Sequence, residues 1–140
     1  MSQTPPHNDQ WPWPDDLDAC IAAPASHHVL FENDAARALE VIIEPGIREP
    51  LHTHRTPSVM IVDRQPESAT TTGDALTYET PGAAVEETRT SWLDPEPPHS
   101  VENVDMHRYH AFRIELRRSQ TPIDFGRAVA RALPSEDQLS

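Results

Sequence analysis

The chain has no lysine. All eleven of its basic residues are arginine, against twenty-three aspartates and glutamates, for a net charge of −12. A surface of that sign repels phosphate backbones and anionic bilayers, so neither nucleic acid nor a membrane is an expected partner. Cysteine is nearly absent as well. Cys20 stands alone, which rules out an internal disulfide, and nothing beside it points to an activated thiol. Only four glycines occur, against fifteen prolines; prolines in that number disfavour long helices. There is no glycine-rich phosphate loop and no Gly-x-Ser-x-Gly elbow. No apolar run approaches the ~18 residues of a membrane span. The opening "MSQTPPHNDQWPWPDD" is polar and proline-rich rather than basic and apolar, so the expectation is a cytoplasmic protein with no leader.

What is there reads as one domain of short strands. Residues 1–24 are expected to form a proline-rich extension, with Trp11 and Trp13 able to pin it to the domain. Residues 25–118 carry the β-pattern. Val29 to Phe31 and Ala38 to Ile43 are strand-like, with "ENDA" as the turn between them. Along the second run Leu39, Val41 and Ile43 point one way and Glu40 and Glu44 the other, the period of a half-buried strand. Val59 to Val62 is another strand, "ESATTTGDALTYET" is a hairpin with "TGDA" at its tip, and "TSWLD" is a strand halted by "PEPP". In "RYHAFRIELRR" Phe112, Ile114 and Leu116 alternate with Arg113, Glu115 and Arg117. The tail, residues 119–140, holds a short helix over roughly 123–133, ended by Pro134. Seven to nine short strands separated by turns predict an antiparallel sandwich or barrel.

Histidine is the residue that stands out. His52 and His54 in "PLHTHR" leave the same face of an extended strand, where two imidazoles can share a metal. His99, in "PEPPHSVEN", is the candidate third donor, because an antiparallel barrel can set its strand beside that of the pair.

These residues resemble the cupin motifs. Gly46-Ile-Arg-Glu-Pro-Leu-His52-Thr-His54 matches the first half of the first motif, in which a glycine is followed after five residues by His-x-His. His99-Ser-Val-Glu-Asn103 matches the His and Asn of the second, although the glycine that usually precedes them is missing. The resemblance spans about residues 26–118 and is closest to small single-domain cupins associated with β-alanine degradation. It implies an all-β, antiparallel, jelly-roll barrel, here with a short C-terminal helix, in a homodimer. It also implies a pocket holding one divalent transition metal on His52, His54 and His99. The usual glutamate would fall at Ser58 or Val59, and the closing glycine near Asp63 and Arg64; neither residue type is present, and Asp63 lies too far along the strand to substitute.

Three neutral imidazoles suit zinc, iron, nickel or copper, and a carboxylate would shift the preference towards manganese or iron. The resemblance to three-histidine cupins suggests an oxygenase of a small acid or thiol. The alternative is a non-catalytic cupin that binds a small molecule or serves as an accessory protein. A metal-free isomerase would need basic residues for phosphates, which the charge opposes. Around the site, His110 shares the parity of Phe112 and is expected to face inward, as a packing histidine first and a base second. Arg48 and Arg55 flank the pair and could hold a carboxylate. Tyr78, Trp92 and Met60 are expected in the core or pocket wall. His27 and His28 are expected to be exposed, and Glu86 and Glu87 to lie on a solvated edge.

Overall fold

A computed structural model describes residues 11–83 and 87–117. The helix expected near 123–133, the rest of the tail and Glu86 lie outside the described residues. Nine strands are found among those described: β1 (His27–Glu32), β2 (Ala36–Ile43), β3 (His52–His54), β4 (Ser58–Arg64), β5 (Ser68–Thr72), β6 (Thr77–Thr80), β7 (Arg89–Leu93), β8 (Glu96–Asn103) and β9 (Tyr109–Leu116). They form two antiparallel sheets, ordered β1-β2-β9-β4-β7 and β3-β8-β5-β6. No helix among the described residues is long and apolar enough to cross a membrane.

Strand β2 follows its sequence pattern. Leu39, Val41 and Ile43 are buried and join Met60, Tyr109 and Ala111 in the core. Burying aliphatic side chains of this size stabilises the fold by about 1.5–3 kcal/mol each. The strand ends at "EPG", where Gly46 takes a left-handed φ of 78° and donates its N–H to the Asn103 carbonyl. An L side chain is strained in that region, so glycine suits this turn. Asn103 is fully buried. Its Nδ2 donates to the carbonyls of Ile43 and His107, and its Oδ1 accepts from Asp105 N. The Asn of the second motif is therefore a clamp that ties the end of β2 to the β8–β9 loop.

Strand β9 corrects an expectation. Tyr109, Ala111, Arg113 and Glu115 face inward, while His110, Phe112, Ile114 and Leu116 are half-buried on the other face. Register decides this. Ala111 lies opposite Val41 and Arg113 opposite Leu39, and directly paired residues share a face. The inward charges have partners. Glu115 meets Arg37 and His54, and Arg113 meets Glu96.

From Asp15 the N-terminal segment packs onto the barrel. After a 3-10 turn at Asp15–Leu17 comes one helical turn, α1 (Ala19–Ala22). Ala19 and Ala23 are fully buried, and Asp18 pairs with Thr53 of β3 in a parallel bridge. Asp18 receives two nitrogens of Arg37, at 3.0 and 2.9 Å. Prolines prevent regular structure before Asp15, but the small alanines after it let the chain press onto the barrel. Burial raises the Cys20 thiol pKa to about 11, which keeps it protonated and unreactive at neutral pH. Strand β8 runs through Pro97 and Pro98 rather than starting after them; they fall at the register shift between His52 and His54, an irregularity of the kind where strand prolines are tolerated.

Candidate metal centre

Strand β3 is three residues long and delivers His52 and His54 to one buried face. His52 lies directly across from His99 on β8, as expected from an antiparallel barrel. The ring centroids are 4.5 Å apart for His52 and His99, 5.2 Å for His52 and His54, and 5.6 Å for His54 and His99. A fourth imidazole joins them. His27, at the start of β1, is only 5% exposed, and its ring lies 4.8 Å from that of His52 and 5.3 Å from that of His54. Its expected exposure is thus corrected, while His28 is exposed. The signal for His27 is its register opposite the inward-facing Val41. Two overlapping donor groups result: His27, His52 and His54, and His54, Glu96 and His99. Within each, the donor atoms lie within 4.8 Å of one another.

Each imidazole is held from behind. His52 Nδ1 lies 2.8 Å from the Pro50 carbonyl and His99 Nδ1 2.8 Å from the Pro97 carbonyl. His27 Nδ1 reaches the Ala23 carbonyl at 3.1 Å, and His54 Nδ1 reaches Glu115 Oε2 at 2.9 Å. Carbonyls and carboxylates only accept, so the proton sits on Nδ1 and the lone pair on Nε2. Burial, the largest cause, lowers the pKa of His27 to about 3 and of His52 to about 4, and holds that of His54 well below the usual value. Neutral imidazoles with Nδ1 engaged are the state in which histidine binds a metal through Nε2. The donor set fits a divalent transition metal.

The cavity is about 50 Å³ in volume. Val41, Ile43, Met60, Val101 and Tyr109 form its apolar part, and the four histidines, Glu49 and Arg113 its polar part. Glu49 was not anticipated. It is buried, takes a 2.6 Å hydrogen bond from Ser26 Oγ, and places Oε1 3.9 Å from His52 Nε2. Burial pushes its pKa up to about 7. The carboxylate missing at Ser58 and Val59 is thus offered from three residues before His52. Ser58 is fully buried and accepts a hydrogen bond from Arg113 Nε.

Other candidates lie elsewhere. Arg48 is exposed and donates to Ser100 Oγ. Tyr78 and Trp92 are more than half exposed, and neither lines the cavity. Arg55 reaches towards Asp15. Glu87 is exposed, as expected.

His110 points away from the cavity. It sits between Glu40, 2.7 Å from Nε2, and Asp63, 2.5 Å from Nδ1. The hydrogen bond to Glu40, then that to Asp63, raises its pKa above 6.5. A raised pKa makes the contribution to stability full below pH ~6.5 and lost as pH rises through the folded-state value. The difference in urea midpoint between wild type and H110Q should therefore be larger at pH 5.5 than at pH 8.5. An equal difference at both pH values would show that the two carboxylates do not hold a protonated imidazole.

No family model matches the chain, and no curated protein does. Solved structures do match. A cupin domain from Bordetella pertussis Tohama I has a TM-score of 0.53 at 18% identity, over 66% of this chain and 92% of that one. An RmlC-like cupin family protein with a double-stranded β-helix fold, from Methanocaldococcus jannaschii, has a TM-score of 0.50 at 11% identity, over 64% of this chain and 77% of that one. The chain thus has the cupin-type, double-stranded β-helix fold.

Proposed function

We propose that this cupin binds one divalent transition-metal ion through imidazoles in its barrel and handles a small molecule there. His52, His54 and His99 would hold the ion, with His27 as a further donor. One observation carries the reading: all four imidazoles have Nδ1 engaged, leaving four Nε2 lone pairs around a single small cavity. Bound there, the ion would polarise an oxygen or acidify a water. An all-imidazole set suits iron, zinc or nickel, and Glu49 as an added donor would bring in manganese. The apolar part of the cavity limits water around the ion. The finer reading is an oxygenase of a small acid or thiol. The presence of Ser58 and Arg113 near the usual glutamate position favours a second, non-catalytic reading as a binding or accessory cupin.

Metal analysis of the protein as purified should find about one ion per chain. Stripping it with a chelator should lower the melting temperature, because an ion at 1,000 times its Kd stabilises by ~4 kcal/mol. Protein that carries no transition metal and takes none up would remove the metal reading. Oxygen uptake with short acids or thiols supports the enzyme; ligand-induced stabilisation without turnover supports the binding protein.

A cytoplasmic homodimer completes the proposal. Val29, Leu30 and Phe31 are exposed on β1, an edge strand, and an apolar edge is a natural pairing surface. Sedimentation at the monomer mass would remove the dimer.

A further inference from the structure

Arg113 leaves one thing unexplained. It projects inward from β9, is 3% exposed and lines the cavity. Its Nε donates to Ser58 Oγ at 3.0 Å, and its Nη1 lies 2.7 Å from Glu96 Oε1. Nη2 is buried with no hydrogen-bond partner among the described residues. Glu96 Oε1 likewise lacks an aligned hydrogen bond, so that contact is a charge pair rather than a fork. Buried guanidinium nitrogens are rarely left without an acceptor, because desolvating a cationic donor is costly. An orphan of this kind calls for an acceptor from outside the chain.

We propose that the cavity takes a short-chain carboxylate beside the metal ion, with Arg113 Nη2 as its buried donor. This rests on the metal reading above. Size favours a ligand as small as acetate: ~50 Å³ is room for only a few waters. Val41, Ile43 and Met60 offer an apolar surface to a short hydrocarbon end. Charge agrees. Arg113 and Glu96 offset each other and Glu49 adds at most one negative charge, so a divalent cation beside neutral imidazoles would still leave the cavity positive, despite the net charge of −12 on the chain. Guanidinium is the side chain best matched to a carboxylate.

The test is calorimetric titration of acetate into metal-loaded full-length protein, with the metal content of every sample measured in parallel. Acetate should bind wild type, and R113Q should bind it at least tenfold more weakly at unchanged metal content. Unchanged acetate affinity in R113Q would overturn the proposal. Should R113Q not fold, R113K decides. Lysine keeps the charge facing Glu96 but lacks the second nitrogen, so weakening is again expected and unchanged affinity again overturns. Phosphate binding as tightly as acetate would overturn the carboxylate assignment. Failure of the metal reading shows separately, as absent metal. Acetate binding that depends on Arg113 in such metal-free protein would sustain the anion site alone, and its absence there would overturn it.

Discussion

Replacing His54 by alanine should leave the protein without its metal. Content should fall from about one ion per chain to less than a tenth, with affinity reduced by more than a hundredfold. Supporting residues behind a ligand are typically worth 10- to 100-fold in metal affinity, and a ligand itself should be worth more. His54 is the donor shared by both groups in the cavity, and it is 1% exposed, so water cannot readily take its place. Its loss also frees Glu115 Oε2, which would otherwise hold its ring. Metal analysis of H54A reads the result, and retained metal would remove His54 from the ligand set. The same measurement on H27A and H99A separates the two groups. A site built on His54 and His99, with Glu96 or His52 as the further donor, survives H27A and fails in H99A; a site built on His27, His52 and His54 does the reverse. H28A, altered on the exposed neighbour, should keep its metal.

The second large effect is on folding. Arg37 is the middle of a buried chain of charges. Its Nε meets Glu115 Oε1 at 2.6 Å, two further nitrogens meet Asp18, and Glu115 Oε2 passes on to His54. Arg37 and Glu115 are both buried. Removing one partner of a buried pair strands the other and costs about 3–5 kcal/mol. R37A should therefore lower the urea midpoint by roughly 2 M, taking a slope of about 2 kcal/mol per M. Adding E115Q to R37A should recover part of that loss, because the carboxylate then carries no uncompensated charge. A double variant as unstable as the sum of the two singles would mean that the pair contributes nothing jointly. D18N should cost less than R37A, since the Asp18 side chain is 26% exposed.

The parts legible in the sequence share one property: local pattern and chain topology agree there. His52 and His54 are two residues apart, so any extended conformation puts them on one face. The alternation of Leu39, Val41 and Ile43 sets β2 in the same way, and "TGDA" turns the hairpin as expected, although Ala75 rather than Gly73 takes the left-handed φ, 68°. Apolar alternation misleads at β9, because it assumes an apolar interior. Here Arg113 finds Glu96 inside and Glu115 finds Arg37 and His54, and pairing with β2 outweighs hydrophobicity. His27 and Glu49 were hidden for a different reason. Each reaches the site from a segment outside the His-x-His strand, and only the folded register shows that Val41 faces His27. Asp18 was hidden too, because the prolines before it mask two alanines small enough to dock.

His52 and His99 share a local grammar. Each follows a proline by two residues, and each gives its Nδ1 proton to that proline's carbonyl at 2.8 Å. They also face each other across an antiparallel pair, so a local two-fold axis relates them. The Nδ1 anchor of each ring is thus supplied by its own chain segment, two residues back. Pro-x-His on each of two facing strands is a transplantable cassette: carried into another antiparallel sheet at the same register, it would arrive with both tautomers already chosen.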